Sequence, residues 1–320
     1  MNLWNLSISF RSMQRSSAGT GSASAAIPPA KPPQRHVDNG FAPHPLAVPS
    51  PAKISLKNVA RNYQRQQGGR VDALEDINLE VRAGEFLCVV GPSGCGKSTL
   101  LHLIAGLDKP SGGDIVLNGR PVNGPGPDRI LIFQDLGLFP WLTVRDNVEF
   151  GLKMKRTDKI ELRSISKHYL DLVGLSQFED SYIHQLSGGM RQRVALARSL
   201  AIRPDVLLMD EPFAALDAQT RDLLHDELER IWKETRQTII FVTHNVREAA
   251  RLGDRVVVLT FRPGRIKAEI RIDLPRPRRM ENANVARFAS EVMDNLKEEI
   301  HRSVESEYRN EPMVSAIPNV

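Results

Sequence analysis

One glycine-rich stretch constrains the fold of this chain more than any other part of its sequence. The apolar run 86–90 before it predicts a buried strand, and residues 100–105 after it predict a helix. Glycines allow backbone N–H groups to close around phosphate oxygens, and the helix N-terminus adds a partial positive charge. Strand, turn and helix together are typical of a phosphate-binding loop. The residues of this loop are Gly91, Pro92, Ser93, Gly94, Cys95, Gly96, Lys97, Ser98 and Thr99.

Two side chains of this loop predict a nucleotide bound together with Mg2+. Lys97 can reach the β- and γ-phosphates, and the Ser98 hydroxyl can ligate the metal ion. A glycine-rich turn that binds nothing is the alternative, but such a turn does not need Gly91, Gly96, Lys97 and Ser98 in register. The loop alone does not specify the class of nucleotide-binding protein to which the chain belongs.

The composition fits a soluble globular chain with a mild positive charge. The 320 residues are 41% hydrophobic and 25% charged, and scattered basic residues give a net charge of +5. A solvated surface explains this charge better than a nucleic-acid site does. The two cysteines, Cys88 and Cys95, lie in the predicted strand and in the loop, so we expect a reducing compartment and no structural disulfide. Because no apolar run is long enough to span a membrane, any membrane role requires a partner.

Residues 1–52 differ from the rest of the chain in composition. They hold eight of the 21 prolines, many serines and alanines, and no apolar core of a signal peptide. Such a segment buries too little apolar surface to offset its ordering entropy. Its basic, acid-poor start resembles a transit peptide in composition, but a disordered extension or a misassigned start codon is the preferred interpretation.

Residues 53–274 predict one α/β domain around a central sheet. Helical spacing at about 135–200 predicts a small helical subdomain inserted into it. Residues 275–320 predict a basic loop, containing Arg276 and Arg278, and then an amphipathic helix. Strands are predicted where apolar residues alternate or run uninterrupted, at 54–59, 73–81, 86–90, 112–119, 130–133, 206–210, 238–243, 255–259 and 266–272.

Polar residues end several of these strands after the phosphate-binding loop. Asp210 and Glu211 end the strand that begins at 206, and Gln134 and His244 end two others. Ligands of an open α/β sheet lie outside the carboxyl ends of its strands, so all four can reach the phosphates. Asp210 can hold the Mg2+ shell, and Glu211 can polarise an attacking water. Taken alone, each of these residues has a plainer interpretation. The acidic pair can be a helix cap, Gln134 a structural glutamine and His244 a hydrogen-bonded histidine.

A second helix start with glycines predicts a second anion site. In the segment 186–193, Ser187 can cap a helix, and Gly188 and Gly189 leave backbone N–H groups open. One γ-phosphate does not need two such sites in one chain. Two chains that face each other head to tail would supply both.

With these motifs in this order and spacing, the sequence resembles the ATP-binding subunit of an ATP-binding-cassette (ABC) transporter from about 54 to 272. Tyr63 lies where that family stacks an aromatic ring on adenine, whereas Met190 replaces the glutamine of the family's signature. The matching motifs are Walker A at 91–99, the Q-loop at Gln134, the signature at 186–193, Walker B at 206–212, the D-loop at 215–217 and the switch histidine at His244.

The resemblance implies a P-loop NTPase of ABC type, with a mixed central sheet, an antiparallel β subdomain and an inserted α-helical subdomain. It implies ATP and Mg2+ as cofactors, with Ser98, Gln134 and Asp210 as metal ligands. Lys97 and Gln134 also belong to the catalytic set that the family implies.

The family further implies a homodimer that sandwiches two ATP molecules. Each ATP lies between the P-loop of one subunit and Ser187, Gly188 and Gly189 of the other. In that arrangement Glu211 activates water, His244 positions the γ-phosphate and Asp217 lines the dimer seam.

Narrower features resemble the nitrate, sulfonate and taurine importers of that family. That likeness implies hydrolysis that powers import of a small anionic solute through separate transmembrane permease subunits, and indirect contact with an extracytoplasmic solute-binding protein. It implies a peripheral position on the cytoplasmic face of the inner membrane and no nucleic acid; the solute is not specified. The segments concerned are 125–129, 138–141, 146–148, 211–213 and 215–218.

Two other classes of ATPase remain open at this point. A soluble ABC ATPase that acts on nucleic acid or ribosomes would have a long coiled-coil insertion or a second cassette, and this chain has one set of motifs. A small-molecule P-loop kinase would leave the signature and His244 unexplained. Co-purification with a membrane protein would separate the importer subunit from both.

Overall fold

The secondary structure alternates between strands and helices along most of the chain. The structure, a computed structural model, describes residues 52–64 and 69–310, so the predicted extension lies outside it except for Ala52. The strands are β1 (Ala52–Gln64), β2 (Arg70–Arg82), β3 (Phe86–Val90), β4 (Gly112–Leu117), β5 (Arg120–Pro121), β6 (Arg129–Ile132), β7 (Val206–Asp210), β8 (Thr238–Val242), β9 (Arg255–Leu259) and β10 (Ile266–Arg271). The helices are α1 (Lys97–Ala105), α2 (Val144–Met154), α3 (Lys159–Leu172), α4 (Gly188–Ala201), α5 (Ala218–Thr235), α6 (Val246–Leu252) and α7 (Ala283–Asn310).

Two sheets organise these elements. The larger has the order β10-β9-β3-β8-β7-β6; its strands run parallel except for β10, which pairs antiparallel with β9. The smaller is antiparallel, in the order β2-β1-β4-β5. The predicted combination of a mixed central sheet and an antiparallel β subdomain is confirmed. Because β3, β6, β7 and β8 are parallel, the segments that follow them leave the same edge of the sheet.

Strand β3 is buried on both faces. Phe86, Cys88 and Val90 pack into a core shared with the helices, whereas Leu87 and Val89 pack into a second core shared with the antiparallel sheet. All five side chains are fully buried. Burial on both faces explains why the strand appears in the sequence as an uninterrupted apolar run.

Three helices lie between β6 and β7, where the inserted helical subdomain is predicted. Helices α2, α3 and α4 pack against one another. The Thr143 hydroxyl caps α2 by accepting from the Asp146 backbone N–H at 3.1 Å. The amide of the fully buried Asn147 donates to the carbonyls of Phe139 and Thr143 and so fixes the loop before α2.

The C-terminal basic loop is an anchor rather than a solvated segment. Nη1 of Arg278 donates to the Gly253 carbonyl at 2.5 Å, and Nη2 donates to the Ile272 carbonyl at 2.8 Å. Burial, reinforced by repulsion from Arg276, lowers the pKa of Arg278 to about 10. These bonds direct α7 back along the sheet, where it packs against α6, β9 and β10.

Candidate functional site

The glycines of the phosphate-binding loop adopt backbone shapes that other residues resist. Gly96 has φ 103° at the start of α1, and Gly94 has φ 72°. A Cβ atom on Gly96 would lie 2.8 Å from the Ala73 carbonyl oxygen, and one on Gly91 would lie 2.6 Å from Cys95 Sγ. The loop backbone therefore forms a tight cradle whose neighbours leave no room for a Cβ atom at these two positions, and glycine meets that requirement.

The ammonium group of Lys97 lies inside this cradle. Its Nζ donates to the carbonyls of Gly91 and Pro92, at 3.0 Å each, and it lies 3.9 Å from Oε1 of Glu211. The side chain is 7% exposed. A buried cation bound to backbone carbonyls of the loop can exchange these contacts for phosphate oxygens without leaving the site.

Ser98 and Asp210 bring together the oxygen ligands that Mg2+ prefers. Burial raises the pKa of Asp210, and a hydrogen bond from Ser98 opposes this rise. In the part of the chain that the structure describes, no cluster of three or more His, Cys, Asp or Glu side chains could hold a metal ion without help. The donor set thus fits a metal ion that is held jointly by these two side chains and by a phosphate group.

Glu211 occupies the left-handed region of backbone space, with φ 44°. Its N–H donates to the Val242 carbonyl at 3.0 Å, which fixes the turn after β7 against β8. Its Oε2 lies 2.8 Å from Nδ1 of His244. A carboxylate held by a histidine on one side and by a lysine on the other has the arrangement of an oriented general base.

A buried polar network that sequence reasoning missed lies behind His244. The Thr243 hydroxyl donates to Glu248, whose other oxygen lies 2.5 Å from Nε2 of the fully buried His225. Arg251 contacts the second nitrogen of His225 at 3.4 Å. The network ties the end of β8 and helix α6 to α5, and so supports the backbone that presents His244.

A cleft of about 520 Å3 opens above the phosphate-binding loop. The Tyr63 hydroxyl, at the end of β1, donates to Asp108 at 2.8 Å, and the Arg61 guanidinium lies 4.4 Å from the Tyr63 ring centre. The predicted site residues that line this cleft are Tyr63, Ser93, Gly94, Gly96, Lys97, Ser98, Thr99 and Glu211. Val71, Ala73 and Arg262 line it too, although they belong to none of the sequence motifs.

Other predicted site residues lie outside this cleft. Gln134 is exposed, beyond the end of β6. Ser187 caps α4 by accepting from Met190 N–H at 3.3 Å, and Asp217 caps α5 by accepting from Thr220 N–H at 2.9 Å. The hydrogen bonds of Asp217 with Thr220 lower its pKa. A neighbouring cleft beside α7 is lined by Gly91, Pro92, Ser93 and His244, and Gly188 and Gly189 lie in the first turn of α4.

A Walker-type loop after β3, an acid pair at the end of β7 and a helical insertion between β6 and β7 are features of the ATP-binding subunits of ABC transporters, and the chain belongs to this family. The family model described as "ABC transporter" matches residues 74–214. The class is that of ATPases coupled to transport. Among the described residues, none of the helices combines the length and the apolar composition that a membrane crossing requires.

Curated relatives narrow the family to one branch. The chain is 54% identical over 207 residues to the nitrate import ATP-binding protein NrtD of Synechocystis sp., a match that covers 65% of this chain and 78% of that one. It is 48% identical over 219 residues to the taurine import ATP-binding protein TauB of Roseobacter denitrificans, covering 68% and 82% of the two chains.

A solved structure shares the fold. It is a dimeric, post-hydrolysis state of an ATP-binding cassette bound to ADP and Pi. The match has 33% identity and a TM-score of 0.61, and it covers 69% of this chain and 100% of that one.

Proposed function

We propose that this chain hydrolyses ATP to power import of a small anionic solute, of the nitrate, sulfonate or taurine type, through separate membrane subunits. The observation that carries the proposal is the carboxylate of Glu211, placed between Lys97 and His244 at the edge of the loop cradle. Similarity to nitrate and taurine import ATP-binding proteins supports the solute class.

Hydrolysis would use groups that this chain already holds in place. Glu211 accepts a proton from water as the water oxygen attacks the γ-phosphorus, and the bond to the bridging oxygen breaks to give ADP and phosphate. Lys97 stabilises the charge that develops on the phosphate, and His244 keeps Glu211 oriented. Ser98, Asp210 and Gln134 would hold Mg2+, which neutralises phosphate charge when bound.

We further propose that two copies of the chain sandwich two ATP molecules. Ser187, Gly188 and Gly189 lie at the start of α4, where backbone N–H groups are open to an anion, yet they do not line the cleft of their own chain. A phosphate held by a second copy would use them. Asp217 would then lie along the seam between the two copies.

In the proposed assembly the partners are transmembrane permease subunits, with a solute-binding protein reached only through them. The assembly lies on the cytoplasmic face of the inner membrane. Trp141, 70% exposed, stands beside Phe139 in the loop before α2, and Phe139 packs on Phe150 of α2 with ring centres 4.5 Å apart. Exposed aromatic residues of this kind suit a protein partner.

The test of the sandwich is size-exclusion chromatography of Glu211→Gln with and without Mg-ATP. We expect a shift from monomer to dimer that requires ATP and is absent from the Glu211→Gln, Lys97→Ala double variant. A monomer that binds ATP and never dimerises, even with its membrane partners, would contradict the sandwich.

The test of the transport role is uptake of labelled nitrate and taurine by cells. We expect cells that carry Lys97→Ala in place of the natural chain to lose uptake of one of these solutes. We also expect the natural chain to co-purify with membrane proteins. Unchanged uptake of both solutes would contradict the proposed solute class.

A further inference from the structure

The loop between β9 and β10 lies directly against the phosphate-binding loop. Gly264 N–H donates to the Ala73 carbonyl at 3.0 Å, and Glu75 N–H donates to the Gly264 carbonyl at 3.0 Å. A Cβ atom on Gly264 would overlap the carbonyl oxygen of Cys95. The β9–β10 loop is therefore fixed to β2 on one side and to the phosphate-binding loop on the other.

Arg262, in this loop, extends into the cleft that Tyr63 and Lys97 also line. Its Nε donates to the Gly94 carbonyl at 2.8 Å, and its guanidinium carbon lies over the Phe261 ring, 6.0 Å from the ring centre. One N–H of the guanidinium is thus used by the backbone, and the two terminal nitrogens, which donate to none of the described residues, remain for a ligand.

The positive charge of Arg262 lies in the cleft. Within residues 52–64 and 69–306, no carboxylate forms an ion pair with it. Its neighbour Arg265, by contrast, pairs with Glu75 at 2.8 Å. An unpaired guanidinium beside a phosphate cradle is placed to bind an anion, because guanidinium groups donate in pairs to phosphate oxygens.

The C-terminal helix α7 is hydrogen-bonded to the β9–β10 loop. Oε2 of Glu299, on α7, accepts from the Phe261 N–H at 2.9 Å, and its Oε1 accepts from Lys267 Nζ at 2.7 Å. The Glu299 side chain is 2% exposed. The backbone adjacent to Arg262 is therefore fixed by a buried contact, so the guanidinium is preorganised over the cleft.

We propose that Arg262 is a nucleotide-binding residue that donates to the phosphate chain of the ATP held by the phosphate-binding loop, with Glu299 as its positioning residue. The inference rests on the proposed function, since it takes the cleft above the loop as the nucleotide site. The other explanation is that Arg262 only braces the loop through Gly94.

Binding of Mg-ATP and Mg-ADP by Arg262→Ala, Arg262→Lys and Arg265→Ala tests the proposal. We expect Arg262→Ala to lower the affinity for both nucleotides by on the order of tenfold, which is the effect of losing one charge-assisted hydrogen bond. Arg262→Lys should recover part of the loss, and Arg265→Ala should bind as the natural chain does. The melting temperatures of Arg262→Ala and Arg265→Ala without nucleotide should be equal, because each variant loses one exposed contact, that of Arg262 with Gly94 or that of Arg265 with Glu75.

Two results would overturn the proposal. Natural affinity in Arg262→Ala would show that the guanidinium does not touch the nucleotide. A loss that Arg262→Lys does not recover, together with a lower melting temperature without nucleotide, would identify Arg262 as a brace. Lys97→Ala, measured alongside, distinguishes failure of the proposed nucleotide site from failure of the role of Arg262. Unchanged nucleotide affinity in Lys97→Ala would contradict the nucleotide site itself. Reduced affinity in Lys97→Ala would support that site, and the results for Arg262→Ala would then test Arg262 alone.

Discussion

Nδ1 of His244 lies 2.8 Å from Oε2 of Glu211, and the other oxygen of the same carboxylate lies 3.9 Å from Nζ of Lys97. The carboxylate is therefore held between two basic groups, one at the start of α1 and the other just after the end of β8. The His244 side chain is 64% exposed and the Lys97 side chain is 7% exposed, so the Glu211 carboxylate is accessible to solvent from the His244 side. A ligand that enters from that side would meet a carboxylate whose orientation is already set.

Glu211→Gln should retain ATP binding and lose turnover by about a hundredfold or more, because an amide has the shape of the carboxylate but cannot accept the proton of water. Phosphate release and nucleotide binding, measured on the same sample, check this. Glu234→Gln, on the exposed side of α5 where Glu234 pairs with Arg230, is the matched control and should turn over normally. Near-natural phosphate release by Glu211→Gln would exclude Glu211 as the base.

Lys97→Ala should weaken ATP binding by about tenfold or more, and its turnover should fall further still, because the ammonium group would contact the phosphate and its charge would stabilise the transition state. The loss also frees the carbonyls of Gly91 and Pro92. Calorimetric titration with Mg-ATP measures the first effect and phosphate release the second. Lys57→Ala, at an exposed position of β1, should change neither quantity.

Gly96→Ala should destabilise the protein and disrupt the nucleotide site, since it combines a left-handed backbone with contacts that a Cβ atom would violate. Gly119→Ala is the matched control, because Gly119 has φ 74° but open space around its Cβ position. We expect the control to cost about 1 kcal/mol of unfolding free energy and Gly96→Ala to cost about 2–4 kcal/mol. Chemical denaturation measures both; equal losses would mean that the loop tolerates the added atom.

Glu299→Gln should lower the free energy of unfolding at pH 7 by about 1–3 kcal/mol. Burial raises the pKa of Glu299, but hydrogen bonds from Lys267 and from Phe261 N–H outweigh it and leave that pKa below its ordinary value. Stability that comes from a depressed acidic pKa is complete above the unfolded value near 4.5 and is lost as pH falls through the folded value.

The difference between Glu299→Gln and the natural chain should therefore shrink as the pH falls below about 4.5. Denaturation curves at pH 7 and at successively lower pH values check this. Glu298→Gln is the control: its side chain is 61% exposed, shares Lys267, and should change stability little at any pH. A constant difference across the pH range would show that the charge of Glu299 does not contribute.

Much of the sheet could be predicted because its strands are buried on both faces. The uninterrupted apolar runs of β3, β7 and β9 mark those strands at the observed boundaries. Helix α6 was not predicted from the sequence because it is only seven residues long and begins shortly after β8 ends. The signal that could have found it is Asn245, whose side chain caps the helix by accepting from Arg247 and Glu248 N–H groups.

The phosphate-binding loop could be predicted from sequence because it is local, whereas its surroundings are not. Arg262 lies far from Gly94 in the sequence, and only the pairing of β9 with β3 brings the two together. Nothing in the residues around Arg278 distinguishes a buried anchor from a solvated arginine, since the difference lies in carbonyls of α6 and of Ile272, just after β10. The roles of all the predicted site residues stay predictions, Gln134 and Asp217 among them, because they depend on a ligand or on a second copy.

Both cysteine thiols of the chain are buried, so the rates at which they react with a labelling reagent report on two different opening motions of the protein. Cys95 lies in the phosphate-binding loop and Cys88 in the central strand, both are fully buried, and burial raises the pKa of each thiol. An alkylating reagent can therefore modify Cys95 only when the loop opens locally, and Cys88 only when the sheet itself separates. Comparing the two labelling rates would measure, without any introduced probe, how far a bound nucleotide restrains the loop beyond what it does for the whole fold.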